Sequence, residues 1–409
     1  MRFTKKVISS TTANIGKIQL NNIAALHALD LDIIKAMNDI IPTFYDKKAM
    51  IVSSTSPDNV STNQTRKKMK AFCAGGDVKS VYLSGMGQNG RNPDINAKKA
   101  SKHGYGDRSL ITGDFFFEGN NLIHKVATQP QNTPQISLWD GIVMGGGVGI
   151  TVHGKYRVAT ENTMLAMPET KIGYYPDVGS TFFLPRLKGG LGAFIGLTGS
   201  RLNPDDLMYA GIATHFIKSE QLDDMVKEIE GTSVEDDFDV DNILNTFSID
   251  HPTKDESFLA RNQEEIDQTF DGKEAVEDII IALESISQQS KFATKTLNTL
   301  KQMSPTALKV TFEGMKRGKE LADISECLKM EFRMSQAHTR EGCDFFEGVR
   351  ALLVDGDNDP KWQASRLEDV TDEIVQSHFI NLGENELEFG TSLPAALQSP
   401  KARIMEKFH

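Results

Sequence analysis

The spacing of hydrophobic and polar positions divides the chain into two parts. Up to about residue 202, short apolar runs typical of buried strands, such as "AMIVSS" and "PQISLW", alternate with helical periodicity, as in "AALHALDLDIIKAMNDIIPTF" and "DFFFEGNNLIHKVA". This order predicts an α/β architecture. After about residue 203 the pattern is mostly that of amphipathic or buried helices, with Ser304-Pro305 as an N-cap and first-turn proline. We therefore expect a core over 1–202, a helical region over 203–390 and a polar tail over 391–409.

The N-terminal segment admits two interpretations. It is basic, rich in Ser and Thr, and free of acidic residues before Asp30, as transit peptides are. However, "KVISSTTANIGKIQL" also fits two short strands around a turn at Asn14-Ile15-Gly16. Two polar, turn-rich inserts, 53–70 and 83–113, are predicted to be exposed loops.

Composition and charge narrow the function classes. The 409 residues carry a formal net charge of −11, which argues against a broad nucleic-acid surface. No apolar run approaches the roughly 20 residues of a membrane span. The three cysteines are widely spaced and odd in number, which favours a reducing compartment and gives no metal-ligand spacing. Cys73 is predicted to be a small buried filler, and His153 and His215 to be structural.

Two glycine-rich stretches could present backbone donors. In "FCAGGDVK", Ala74, Gly75 and Gly76 precede Asp77, which suits a helix N-cap. The exposed N–H groups could hold an anion or a developing oxyanion, or the stretch could be a plain strand–turn–helix junction. In "MGGGVG", residues 144–149, the fingerprints of dinucleotide and phosphate loops are missing. This second stretch could allow close packing of a helix on a strand, or it could supply a second backbone N–H donor.

The segment "MPETKIGYYPDVGSTFFLPRL" carries two carboxylates eight residues apart, Glu169 and Asp177, each following a proline. Two carboxylates on a rigid, turn-rich segment suit general acid/base chemistry. The alternative is that Glu169 and Asp177 merely cap short helices.

Taken together, these stretches resemble the crotonase (enoyl-CoA hydratase/isomerase) superfamily over roughly residues 5–390. The resemblance is carried by "AFCAGGDVK", "GIVMGGGVGITVHGKYRVAT", "MPETKIGYYPDVGSTFFLPRL" and "LTGSRLNPDDLMYAGIATHFI", and by "SPTALKVT", "MEFRMSQA" and "DFFEGVRALLVD" in the C-terminal half. It implies a spiral of ββα units followed by a helical C-terminal region. It also implies an acyl-CoA substrate, with no metal and no cofactor other than the CoA of the substrate itself.

The resemblance also assigns residue roles. It implies that the N–H groups of Gly76 and Gly146 form an oxyanion hole for a thioester carbonyl. Hydratases of the superfamily use two glutamates; the position of the first is Gly149 here, and the second matches Glu169. The hydrolase branch adds an acid at the position of Asp177. The resemblance therefore implies hydrolysis of a short branched hydroxyacyl-CoA thioester, with Glu169 as nucleophile or base and Asp177 placing the substrate hydroxyl or the water.

Further expectations follow from the resemblance. Glu118 should border the acyl pocket, and Ala74 should face the CoA. Relatives commonly self-associate and are usually mitochondrial, so we expect a homo-oligomer in mitochondria, or otherwise in the cytoplasm, without nucleic-acid or membrane partners. Two other functions stay open: a hydratase or isomerase of the same superfamily, and a non-catalytic scaffold associated with mitochondrial ribosomes.

Overall fold

The computed structural model describes residues 4–55, 70–86, 110–232, 237–249, 256–340 and 342–390. Within these ranges the strands are β1 Val7–Thr11, β2 Ile15–Leu20, β3 Ala49–Ser54, β4 Ala71–Cys73, β5 Gln135–Trp139, β6 Ile142–Met144, β7 Tyr156–Ala159, β8 Met164–Ala166 and β9 His215–Phe216. The helices of the first half are α1 Leu31–Ile40, α2 Val78–Gly85, α3 Leu110–Ala127, α4 Gly146–Val152, α5 Ser180–Phe183 and α6 Leu191–Thr198.

The second half is mostly helical. Its helices are α7 Pro204–Tyr209, α8 Leu222–Gly231, α9 Asp237–Phe247, α10 Phe258–Phe270, α11 Val276–Ile286, α12 Lys291–Leu300, α13 Pro305–Glu320, α14 Ile324–His338, α15 Asp344–Val349 and α16 Asp372–Gln376. In the described part of the chain, no helix is both long and apolar enough to cross a lipid bilayer.

The strands form two sheets that are wound as a spiral. The larger sheet has the order β1-β2-β3-β5-β7-β9, antiparallel only between β1 and β2, and the smaller sheet is parallel with the order β4-β6-β8. Consecutive strands β3/β4 and β5/β6 each place one strand in each sheet before a helix follows, and β7/β8 repeat the pattern. This is a spiral of ββα units, and it confirms the predicted fold class.

Apolar packing joins the spiral to the helical region. The largest buried cluster runs from the strands, with Val52 and Val143, through α6 into the C-terminal helices, with Phe292 and Leu308. A second cluster, built around Tyr175, Phe332 and Phe345, packs α14 and α15 against the segment that follows β8. The C-terminal helices therefore contribute to the walls around the end of the small sheet.

Most element predictions are confirmed, and some bounds change. The two N-terminal strands, the buried strand "AMIVSS" and the Ser304 cap of α13 are present. The first predicted helix begins at Leu31, capped by Asp30, rather than at Ala24. Residues 83–85 end α2 and 110–113 begin α3, so the ends of the second insert are helical. Of the rest of both inserts and the tail, only 53–55, Lys70 and Met86 lie within the described residues. Strand β9 pairs with β7 beyond residue 202, and the domain division stays a prediction.

Candidate active site

The predicted site residues lie at one edge of the small sheet. Strand β4 leads into Ala74–Gly76, β6 leads into the glycine run that opens α4, and β8 leads into Pro168 and Glu169. Because the three strands are parallel neighbours, their carboxyl ends lie at the same edge. Segments that are distant in sequence therefore meet there.

The two glycine turns bring their backbones into contact. Gly75 and Gly145 adopt positive φ angles of +107° and +44°, which an L side chain rarely adopts. A Cβ on Gly146 would lie 3.3 Å from the backbone N of Gly76. Within the described chain, no backbone acceptor bonds the N–H of Gly76 or of Gly146, the first residue of α4. Two free N–H donors are therefore next to each other, and Asp77 caps α2 behind them, as predicted.

One cavity of about 280 Å³ collects these residues. Gly76, Gly146, Glu169 and Asp177 all line it, and so does Ala74. Most of its remaining wall is apolar and comes from both halves of the chain: Leu29, Phe115, Phe116, Leu122, Ile123, Met144, Tyr174, Phe345, Leu352 and Leu353. An apolar cavity with a few convergent polar groups is the usual form of a small-molecule site.

Glu169 is buried beside the glycine run. Its Oε1 would lie 2.6 Å from a Cβ on Gly145, so only a glycine leaves room for the carboxylate there. Its Oε2 has no hydrogen-bond partner among the described residues. Burial, and then the nearby charge of Asp177, raises the pKa of Glu169 well above its usual range. A buried carboxyl with one unpartnered oxygen in a cavity wall is suited to proton transfer or nucleophilic attack.

Asp177 is half-buried in the same wall, and its exposed part faces the cavity. Burial, followed by the negative charge of Glu331, raises its pKa to about 8. Neither carboxylate caps a helix: Pro168 is the N-cap of the short 3-10 helix that begins at Glu169, and Gly179 is the N-cap of α5. The capping alternative for Glu169 and Asp177 is therefore wrong.

By the resemblance, a hydratase carries its first acid at the position of Gly149. In this protein the side chain of Val178 occupies the space next to that glycine. A Cβ on Gly149 would lie 2.3 Å from the Cβ of Val178 and 2.9 Å from Cδ1 of Ile123. No side chain larger than hydrogen fits at Gly149 unless Val178 moves. The absence of an acid at residue 149 is thus accompanied by the absence of space for one.

The expectation for Glu118 is not met by the geometry. Its Oε2 accepts a hydrogen bond of 3.1 Å from Nδ2 of Asn38, and it is not among the lining residues. Successive helical residues point about 100° apart, and the α3 residues that line the cavity leave Glu118 on another face of the helix: Phe115, Phe116, Gly119, Asn120, Leu122 and Ile123. Glu118 is therefore directed toward α1 rather than into the acyl pocket.

Other candidate groups are structural. Cys73 is fully buried, its Sγ lies 3.2 Å from the carbonyl O of His27, and burial raises its pKa to about 12. His153 and His215 are buried, and Nε2 of His153 lies 2.9 Å from the carbonyl O of Val178. Across the described ranges, no group of three or more His, Cys, Asp or Glu side chains could hold a metal ion.

Sequence reasoning missed Glu331, which lies 154 residues after Asp177 on α14. Its carboxylate is completely buried and bonds the turn that follows Asp177. The only sequence signal is a Glu between Met330 and Phe332 in "MEFRMSQA", which alone does not indicate a site.

The chain matches the model of the enoyl-CoA hydratase/isomerase family over residues 15–379 and belongs to that family. Its similarity extends to particular members. A Dictyostelium discoideum protein named mitochondrial 3-hydroxyisobutyryl-CoA hydrolase is 37% identical over 391 residues, which cover 94% of each chain. A Xenopus tropicalis protein of the same name is 39% identical over 374 residues, or 91% of this chain and 88% of that one. The human protein of that name is 40% identical over 323 residues, or 78% and 76%.

Solved structures agree with the family assignment. A carnitinyl-CoA dehydratase from Mycobacterium thermoresistibile superposes with a TM-score of 0.79 at 28% identity, covering 95% of this chain and 100% of that one. An enoyl-CoA hydratase from Rhodobacter sphaeroides gives a TM-score of 0.76 at 28% identity, covering 94% and 100%. Both similarities extend through the C-terminal helical region.

Proposed function

We propose that this protein hydrolyses 3-hydroxyisobutyryl-CoA to 3-hydroxyisobutyrate and CoA, a thioester cleavage that belongs to valine catabolism. The relatives that share 37–40% of its residues carry the name of this hydrolase and are described as mitochondrial. We extend both the reaction and the mitochondrial location to this chain.

One observation of the site carries the proposal. Two neighbouring N–H donors, of Gly76 and Gly146, line one cavity together with the buried carboxyl of Glu169 and the half-buried carboxyl of Asp177. The donors suit the oxygen of a thioester carbonyl, which becomes an oxyanion when the carbon is attacked. The carboxyls suit the attack itself. Together they supply the groups that an acyl transfer to water requires.

The reaction can be written in two ways. In the first, an ionised oxygen of Glu169 attacks the carbonyl carbon, the C–S bond breaks, the thiolate of CoA leaves, and water hydrolyses the resulting anhydride. In the second, Glu169 takes a proton from water, and the hydroxide attacks directly. Both consume one water and release a carboxylic acid and CoA. The N–H groups of Gly76 and Gly146 stabilise the oxyanion in both.

Asp177 and the apolar wall account for substrate choice in this proposal. Asp177 can hydrogen-bond the hydroxyl of the acyl group or the hydrolytic water. Phe116 stacks on Tyr174 with ring centroids 5.7 Å apart, and Tyr174 contacts Phe345 at 5.4 Å. This aromatic wall bounds a small space, which favours a short acyl group. CoA enters as part of the substrate, and a requirement for no other cofactor stays a prediction.

The competing functions have less support. Water addition to a double bond uses a second acid at the position of Gly149, where Val178 leaves no room. A purely structural role on mitochondrial ribosomes would not require free N–H donors facing buried carboxyls. Self-association, which the resemblance implies, remains part of the proposal.

A thioesterase assay tests the proposed reaction. Purified protein would be given 3-hydroxyisobutyryl-, isobutyryl-, acetyl- and hexanoyl-CoA, with release of free thiol as the signal, and crotonyl-CoA with loss of its conjugated absorbance. We expect the highest kcat/KM for the hydroxylated branched ester and no hydration of crotonyl-CoA. Hydration of crotonyl-CoA without thiol release from any ester would reject the proposal.

The Glu169→Gln variant tests the site. It should lose kcat by about 10³-fold or more while still binding the CoA ester, because it removes the attacking group but keeps the shape of the cavity. Asp206→Asn is the matched control: Asp206 is a buried carboxylate that bonds Ser257 and Leu259 and does not line the cavity. Near-normal turnover of Glu169→Gln would contradict the assigned role.

A further inference from the structure

A third carboxylate, Glu331, lies behind the two that line the cavity. It belongs to α14 and is completely buried. Its Oε2 accepts a 2.7 Å hydrogen bond from the N–H of Gly179, and its Oε1 accepts from the N–H of Thr181 at 2.9 Å and from the Thr181 hydroxyl at 2.7 Å. Both carboxylate oxygens of Glu331 thus accept hydrogen bonds from the segment that directly follows Asp177.

The turn that Glu331 holds is conformationally unfavourable. Val178 has φ of +58°, which is an outlier for a β-branched residue, and Gly179 follows with φ of +84°. Such a backbone costs on the order of 1–3 kcal/mol and persists only where its surroundings fix it. Glu331 fixes it from one side, and Nε2 of His153, which lies 2.9 Å from the carbonyl O of Val178, contacts it from the other.

The turn determines where Asp177 and Val178 point. Both line the cavity, and Val178 also fills the space above Gly149. If the turn relaxed to ordinary φ angles, these two neighbours could not both keep their positions. Glu331 therefore acts on the cavity through the backbone, without lining it.

Glu331 also acts on Asp177 by its charge. No described basic residue forms a salt bridge with Glu331, Asp177 or Glu169. Burial raises the pKa of Glu331 to about 7, against the opposing effect of its three hydrogen bonds. The titratable groups around Asp177 and its turn are Glu169, Tyr174, Tyr175, His153 and Glu331. Farther away are Cys327, one turn before Glu331 on α14, and Arg186, at the end of the short 3-10 helix that follows α5.

We propose that Glu331 is a positioning residue of the reaction: its carboxylate fixes the turn that carries Asp177 into the cavity. The proposal rests on the proposed function, since it assigns Asp177 a part in thioester hydrolysis. It adds to the site a residue of the C-terminal helical region that contacts neither the substrate nor the reacting atoms.

The Glu331→Gln variant separates this role from simple packing. Glutamine offers one acceptor oxygen where the carboxylate offers two, so its NH₂ must face the N–H of Gly179 or of Thr181. The turn loses a hydrogen bond, and Asp177 loses a neighbouring negative charge. We expect kcat to fall about tenfold or more, because small displacements of reacting groups are costly, with KM within about twofold. We expect the acid limb of the rate profile to move to lower pH, because a negative charge next to Asp177 is removed.

Two controls make the result specific. Asp206→Asn removes a comparably buried carboxylate far from the turn, and should change stability without moving the acid limb or the kcat of folded protein. Glu331→Asp keeps the charge on a side chain shorter by one methylene; it should keep the acid limb near its wild-type pH while kcat is reduced. It also provides a second variant if Glu331→Gln does not fold.

Two direct measurements test the role of Glu331 independently of the proposed reaction. Hydrogen exchange at the N–H groups of Gly179 and Thr181 should accelerate in Glu331→Gln, and the ¹³C resonance of the Asp177 carboxyl should titrate at lower pH. If wild-type protein cleaved no thioester, the proposed function would fail, yet these two signals would still decide the role of Glu331. Unchanged exchange and an unchanged titration would overturn it, as would a lower melting temperature with wild-type kcat and acid limb.

Discussion

Replacing Asp177 by Asn should stabilise the fold, and by an amount that depends on pH. The ordinary pKa of an aspartate is 3.8, and the folded protein raises that of Asp177 to about 8, chiefly by burial and then by the charge of Glu331. Between pH 3.8 and about pH 8, the Asp177 carboxyl is protonated in the folded protein and ionised in the unfolded chain. A carboxyl whose pKa is raised by folding therefore leaves the free energy of unfolding unchanged below about pH 4. It lowers that free energy increasingly as the pH rises toward 8.

The expected magnitude follows from how steeply the free energy of unfolding changes with pH, rather than from the size of the pKa shift of Asp177. One proton retained only in the folded state lowers the free energy of unfolding by about 1.4 kcal/mol per pH unit. Between pH 5 and pH 7, which both lie inside the window, wild-type protein should lose about 2.7 kcal/mol relative to Asp177→Asn. Asparagine has nearly the shape of aspartate and cannot ionise, so the variant isolates this contribution.

Urea unfolding at pH 5, 6 and 7 measures the difference. Asp140→Asn serves as a control of opposite sign: burial raises the pKa of Asp140, but hydrogen bonds from Asn162, Ser219 and Thr160 outweigh it, and the pKa is lowered. Its variant should be less stable than wild type, by a constant amount between pH 5 and 7. If the difference between Asp177→Asn and wild type did not change with pH, Asp177 would be ionised at its usual pKa, and the electrostatic description of the site would be wrong.

Further outcomes are expected from the same geometry. Because burial raises the pKa of both Glu169 and Asp177, kcat/KM of the wild type should increase with pH through neutrality; a flat profile from pH 6 to 8 would contradict this. After a single turnover in H₂¹⁸O, ¹⁸O in the Glu169 peptide by mass spectrometry would identify Glu169 as the nucleophile, because only an anhydride lets water attack the Glu169 carbonyl carbon; ¹⁸O in the free acid fits either route. Gly149→Ala should destabilise the protein by about 1–3 kcal/mol in thermal unfolding, since its Cβ would lie 2.3 Å from that of Val178. Leu352→Ala, which enlarges the cavity, should raise kcat/KM for hexanoyl-CoA relative to that for 3-hydroxyisobutyryl-CoA. An unchanged ratio of these two values would exclude Leu352 from acyl selection.

The parts of the site that the sequence predicts are local. Gly76 and Asp77 follow a short apolar run and precede a helical pattern, so strand, turn and helix can be read from one continuous stretch, and the same holds for Gly146. That these stretches meet depends on the parallel order of β4, β6 and β8, which the resemblance supplies and local patterns do not.

The parts that the sequence does not predict depend on register or on long-range packing. The predicted position of Glu118 differs from the observed one because a shift of one residue along a helix turns a side chain by about 100°. That is enough to direct it toward α1 instead of the cavity. Strand β9 has two residues, too few for any periodicity, and exists because β7 offers it an edge. Glu331 meets Gly179 only through the packing of α14, more than 150 residues later in the chain. Composition and spacing carry no information about such contacts.

The presence of Asp177 and the absence of an acid at residue 149 are parts of one structural arrangement. The strained turn at Val178 directs Asp177 to the cavity and at the same time presses Val178 against Gly149. An acid could return to position 149 only if the turn opened, and opening it would break the hydrogen bonds to Glu331 and displace Asp177. A single substitution at Gly149 should therefore not convert this protein into a hydratase, whereas changes that also release the turn would abolish the site for hydrolysis. The backbone at residues 177–181, which Glu331 holds from the C-terminal half of the chain, thus couples the position of Asp177 to the lack of space at Gly149.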